Sequence, residues 1–275
     1  MKAPIIIASC VALTLLFVSA GTADDPKADK KQPAFELSLE VQALRSCYDL
    51  KLTDEQLKQV AKLAKETAEK SHKRKSTKVS DEHHKALTEL RDALLAADDD
   101  DKIGDLEDAV DQIADKPELD DSFDVTKAAR KRAPEVFKSF SVSQLAAYYG
   151  SIADDVQEPA EQLTAALNAV RGLEDKEWTG KRDDIAEEVA WSVGGLDVAK
   201  ADKVRDKVVV LLSKAHSLDP DEFKAKKAEL EKEAKTIAGD VGADTLLRHY
   251  TERTVAEMLS NPRLDAAVNA RLNLK

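Results

Sequence analysis

Glycine is scarce in this sequence, with nine in 275 residues, too few to supply the tight turns that nucleotide sites need. Neither a Gly-x-Ser-x-Gly elbow nor a phosphate-binding glycine loop occurs. His-Glu-x-x-His and Cys-x-x-Cys are missing as well, and with them the local signatures of zinc peptidases and dithiol redox centres. Two tryptophans and four tyrosines are too few and too scattered to form stacking platforms for sugars or bases. Alternating apolar and polar residues, the mark of half-buried strands, appear nowhere convincingly. On these grounds no catalytic residue, cofactor site or metal site is expected, and the chain is read as a non-enzyme.

The first segment present is "MKAPIIIASCVALTLLFVSAGTADD". One lysine, an apolar run from Ala3 to Ala20 and then small residues give the layout of a secretory signal peptide, residues 1–23, with cleavage near Ala23. Two alternatives stand beside it. Ile7-Ala8-Ser9-Cys10 resembles a lipoprotein box, though much apolar chain follows it. An uncleaved anchor would need about 20 apolar residues, slightly more than this run offers. The expectation is an exported protein, periplasmic or secreted. Lys2 is the only charged residue among the first 23, so cleavage leaves the net charge of −11 slightly more negative. A surface of that sign repels nucleic acid and anionic lipid in bulk. Residues 24–33, "DDPKADKKQP", read as a flexible tether. With Cys10 in the leader, Cys47 has no intramolecular partner. It is either a buried thiol on an apolar helix face or the cross-link of a homodimer.

Beyond residue 33 the apolar residues follow helical spacing. Leu57, Val60, Ala61 and Ala64 form one stripe, and Ile103, Leu106, Val110 and Ile113 another. Ala201, Val204, Val208, Leu211, Ala215 and Leu218 alternate steps of three and four, and Phe223, Leu230, Ala234 and Ile237 follow the same rule. The fold class is therefore all-α, and "VVVLL" at 208–212 belongs to a helix. Three helix starts share one grammar. In "LTDEQL", Thr53 is the N-cap and Gln56 the reciprocal half of a capping box, with Leu52 and Leu57 as a hydrophobic staple. Phe140-Ser141-x-x-Gln144-Leu145 repeats it, and so does Leu218-Asp219-Pro220-x-Glu222-Phe223, with proline at the favoured first helical position. The stretch "LTDEQLKQVAKLAKE" also resembles the LTxxQ motif of Spy/CpxP-type periplasmic proteins. That resemblance covers about 15 residues and implies an exported, all-helical, metal-free chaperone or stress adaptor built from long hairpins.

The chain also resembles itself. "LTAALNAVRGL" (163–173) matches "LDAAVNARLNL" (264–274), pairing Asn168 with Asn269, and Tyr149 meets Tyr250 at the same offset. Weaker matches pair 80–90 with 220–230 and His72 with His216. These imply two copies of one helical unit, placed at 34–173 and 174–275. The first would carry a protruding charged insertion at about 97–139, which includes an enteropeptidase sequence at 98–102.

Individual residues complete the picture. Asp81 and His84 share a helical face but are only two ligands, too few for zinc, and His83 points elsewhere. His72, in the basic run "KSHKRKSTK", and His216 suit the last turns of helices, where cations meet free carbonyls. The run Asp98 to Asp101 fails as a calcium loop, because Ile103 and Val110 would occupy ligand positions. Trp178 and Trp191 are expected as buried anchors. The functional expectation is an exported, non-enzymatic binding, adaptor or chaperone-like protein with a protein partner. The alternative is an exported hydrolase or metal-dependent enzyme whose carboxylates converge only in the fold.

Overall fold

The computed structural model describes residues 32–70, 77–97, 99–113, 119–153 and 156–273. The signal peptide, most of the tether and His72 lie outside them. The described residues form twelve α-helices and no strand. They are α1 (Ala34–Asp49), α2 (Asp54–Thr67), α3 (Asp81–Ala96), α4 (Asp100–Asp111), α5 (Lys127–Phe137), α6 (Val142–Ile152), α7 (Pro159–Ala169), α8 (Asp175–Gly194), α9 (Val198–Ser217), α10 (Pro220–Ala238), α11 (Ala243–Ser260) and α12 (Leu264–Asn273). Seven begin on a side chain that accepts a first-turn N–H: Thr53, Ser80, Asp99, Thr126, Ser141, Asp197 and Asp219. Each satisfies a backbone donor that the helix itself leaves open. No helix among the described residues is long and apolar enough to cross a membrane.

The apolar faces gather into two cores. The first joins Leu44 and Cys47 of α1, Leu57 and Val60 of α2, Leu90 and Leu94 of α3, and Val255, Leu259, Leu264 and Val268 of α11 and α12. The second joins Leu163 and Leu167 of α7, Trp178 and Val189 of α8, Val208 and Leu211 of α9, and Phe223 and Leu230 of α10. The chain thus builds most of one core, leaves it at α7, builds the other, and returns with α11 and α12.

This path differs from the expected pair of sequential units at 34–173 and 174–275. The matched segments fall in different cores, α7 in the second and α12 in the first. In the second core α9 packs on α10, whereas α2 packs on α12 and α5, and α3 on α1 and α4. Asn168 and Asn269 are both exposed and bond only within their own helices, to Thr164 and Asp265. Helices rich in Ala, Leu, Lys and Glu share a 3.6-residue period, so they match in sequence without matching in packing.

The charged segment at about 97–139 does not protrude as an insertion. Ile103 of α4 and Ala129, Ala133 and Val136 of α5 are fully buried in the first core. α5 packs against α2 and α11. Thr126 ties the approach to α5, donating its N–H to the Oγ of Ser260 at 2.9 Å and its hydroxyl to the Thr67 carbonyl at 2.6 Å. The last two tether residues are also fixed. Gln32 donates to Glu40 at 2.9 Å and its carbonyl meets the His84 ring at 3.0 Å.

Two glycines explain the tight α8–α9 corner. A Cβ on Gly194 would lie 2.7 Å from the backbone of Ala201. Gly195 has φ +57°, and its Cβ would meet the His249 ring at 2.6 Å. Only glycine fits both a left-handed backbone and so close an approach.

Candidate functional site

The two Gln-bearing helix starts interlock. Gln56 Oε1 accepts from the Thr53 N–H at 2.9 Å, closing its own capping box, and Gln144 Oε1 accepts from the Ser141 N–H at 3.0 Å. The two side-chain amides then face each other: Gln144 Nε2 donates to Gln56 Oε1 at 2.8 Å, and Gln56 Nε2 to Gln144 Oε1 at 3.3 Å. Gln144 Nε2 also donates to the Lys51 carbonyl at 2.8 Å, and Gln56 Nε2 to the Ser139 carbonyl at 2.9 Å. Local helix punctuation has become a tertiary clasp between α2 and α6, and it fixes the α1–α2 turn.

That turn borders two adjoining concavities that share Tyr48, Lys51 and Asp100. One, of about 490 Å³, is completed by Leu52, Ala97, Asp99 and Arg271. The other, of about 190 Å³, is lined by Arg45, Asp49 and Glu107 among others. Arg45 lies between two acids, its Nε 3.0 Å from Asp49 and its Nη1 3.0 Å from Glu107. Burial pushes both carboxyls above their usual range, and Arg45 pulls them back in part. The Tyr48 hydroxyl donates to Asp100 at 2.6 Å, and its pKa is pushed up to about 12 by burial and then by that acid.

A charged seam joins the cores. Glu188 of α8 accepts from the Tyr250 hydroxyl at 2.8 Å and from Arg253, both on α11. Arg253 reaches Glu257 as well, at 2.8 Å. Burial works against the charge of Arg253, but Glu257 and Glu188 outweigh it and hold the guanidinium more firmly protonated. Arg130 lies 4.3 Å from the Trp191 ring centroid and Arg253 5.4 Å, so both cations face that indole. Glu188, Tyr250, Arg253 and Glu257 bond one another, which makes this seam a joint between the cores.

The α9–α10 face is different. There Val210 is 63 % exposed. It sits in an open depression of about 410 Å³ with Thr236 and Ile237, rimmed by Asp206, Lys207 and Glu233. The run "VVVLL" holds more apolar residues than one helical face can bury. Val208, Leu211 and Leu212 go inward, and Val210 is left over. A β-branched residue on a solvated helix face carries a propensity cost with no packing return.

The structure separates the other candidates. His83 is buried and its N–H meets the Ser80 cap, while His84 turns to Gln32, so Asp81 and His84 do not share a site. No group of three or more His, Cys, Asp or Glu among the described residues is placed to hold a metal ion. Asp99 caps α4, and Lys102 falls in its first turn, just ahead of buried Ile103. His216 does lie in the last turn of α9, but its ring bonds the Leu173 carbonyl at 3.2 Å and stacks on Trp178 at 4.4 Å. Trp178 and Trp191 are both buried on α8. Cys47 is fully buried against Met258, and burial pushes its thiol up to about 12. A cross-link through it would require opening the first core. Arg45, Glu107, Val210 and Arg271 were not legible as site residues, since each is an ordinary residue in a helical pattern. Only the surplus valine of "VVVLL" left a trace.

Comparison with known proteins finds no matching family model, no matching curated protein and no matching solved structure. The likeness to LTxxQ-motif proteins rests on the quoted residues alone.

Proposed function

We propose that the protein is an exported, non-enzymatic helical binding protein of the cell envelope, an adaptor or chaperone-like module. It docks an apolar segment of a partner protein on the α9–α10 depression. The observation that carries this reading is the exposed Val210 above buried Ile237, a small apolar centre with a polar rim. The leader-like N-terminus and the LTxxQ-like helix start agree with it. Glu233 on the rim is paired with Lys214 at 3.3 Å, so the preference for a partner segment with basic flanks comes from the chain's net charge of −11. A photoreactive amino acid at position 210 tests it in the native host. A discrete adduct that disappears on Thr236→Asp, at an exposed neighbour in the same depression, supports the docking face. Adducts no different from those formed at exposed position 142 overturn it.

A second reading, an exported hydrolase, draws on Asp49 and Glu107, two acids with raised pKa beside one small cavity. It ranks behind because Arg45 already engages both carboxylates. A hydrolytic activity lost on Glu107→Gln, with the fold retained, would bring it forward.

A further inference from the structure

Arg271, on the last turn of α12, is only 6 % exposed. Its Nε and Nη1 are shut off from solvent without an acceptor, while the residue lines the 490 Å³ cleft beside the α1–α2 turn. A buried guanidinium normally has carboxylate or carbonyl partners, because an uncompensated charge there is costly. Lys51 adds a second cation to the same cleft. Asp99 and Asp100 also line it. Asp99 Oδ1 caps the Lys102 N–H at 3.0 Å, and Asp100 Oδ1 takes the Tyr48 hydroxyl at 2.6 Å. Leu52 and Ala97 supply apolar surface. The only non-glycine residues with positive φ among those described, Lys51 at +47° and Ala97 at +54°, both border this cleft.

We infer that this cleft binds a small ligand carrying a carboxylate and a cation on an aliphatic stem, such as the C-terminal lysine of a peptide or an ω-amino acid. The carboxylate meets Arg271 and Lys51, the methylenes lie along Leu52 and Ala97, and the cation meets Asp99 and Asp100. A free α-amino acid fits less well, because its α-ammonium would lie beside two cations. The size suits a small molecule, and the clasp of Gln56 with Gln144 holds the Lys51 carbonyl that anchors the turn. This site is separate from the α9–α10 face and does not depend on it.

Isothermal titration of the full chain tests the inference. Nα-acetyl-L-lysine (for a peptide C-terminus) and 6-aminohexanoate (for a free ω-amino acid) are the probes, and saturable binding of either supports it. Binding of one alone identifies the source. Hexanoate and Nα-acetyl-L-lysinamide, each lacking one charge, should bind at least tenfold more weakly. Arg271→Met should abolish binding without lowering the melting temperature of the free protein, since it removes an unpaired buried charge. Asp99→Asn with Asp100→Asn, both on the surface, should weaken binding about tenfold with the fold intact. No heat with wild type, equal binding by the variants, or a marked loss of stability in Arg271→Met would overturn it.

Discussion

The clasp between Gln56 and Gln144 makes a quantitative demand on stability. Gln56 is 7 % exposed and bonds the Thr53 N–H, the Ser139 carbonyl and the Gln144 amide. At a net value of about 0.5–1.5 kcal/mol per bond, Gln56→Ala should cost about 2–3 kcal/mol, part of it from buried groups left unpaired. Gln144→Ala loses its bonds to Ser141, Lys51 and Gln56, but Gln144 is less buried, so about 1.5–2.5 kcal/mol is expected. Because the amides serve each other, the double variant should cost less than the sum, with a coupling of about 1–2 kcal/mol. Urea unfolding followed by helical circular dichroism measures all four corners of the cycle, provided that the m-value is unchanged. If the two substitutions add to within about 0.5 kcal/mol, the helix starts are capped independently and the clasp is refuted.

Cys47, fully buried with its thiol pushed up to about 12, should not react with a thiol-specific reagent at pH 8 until denaturant opens the first core; rapid native labelling, or a disulfide-linked dimer on a non-reducing gel, would contradict this. All four tyrosines are held above the usual value, chiefly by burial, with Tyr48 and Tyr250 reaching about 12. The folded chain therefore keeps protons that the unfolded chain loses above about pH 10, and stability should fall as pH rises from there towards 12. Tyrosinate absorbance should rise together with loss of helix; a full rise near pH 10 with the helix intact would refute the burial. Two glycines of α8 should respond with opposite signs. Gly180 has open space around a new Cβ, so Gly180→Ala should stabilise by about 0.5–1 kcal/mol. Gly194→Ala should destabilise by about 1–3 kcal/mol, because the methyl meets the Ala201 backbone. Melting curves that shift the same way for both would rule this out.

The fold class was legible because helical spacing and capping grammar are local. The boxes at Thr53, Ser141 and Asp219 all form where "LTDEQ", "SVSQ" and "DPDE" place them. Which helices pair was not legible. The stripes of α7 and α12 read alike, yet one serves each core, because packing depends on where the chain returns and not on the period of the face. The charges of 97–139 hid α5, where three small or branched residues, Ala129, Ala133 and Val136, bury a narrow seam between α2 and α11. Arg271 gave no signal because its burial comes from tertiary neighbours, and nothing in "NARLN" announces a cleft. Val210 was half legible, as one apolar residue too many for its helix.

The most direct measurement is light scattering of a chemically denatured model client on dilution into a stoichiometric amount of this protein. Wild type should suppress aggregation. Val142→Glu, a charge placed on a valine that is 85 % exposed at the start of α6, should suppress it equally. Val210→Glu, which puts the same charge at the centre of the α9–α10 depression, should lose the effect while keeping its helical spectrum. Scattering unchanged by wild type, or suppression retained by Val210→Glu, would contradict a binding function on that face.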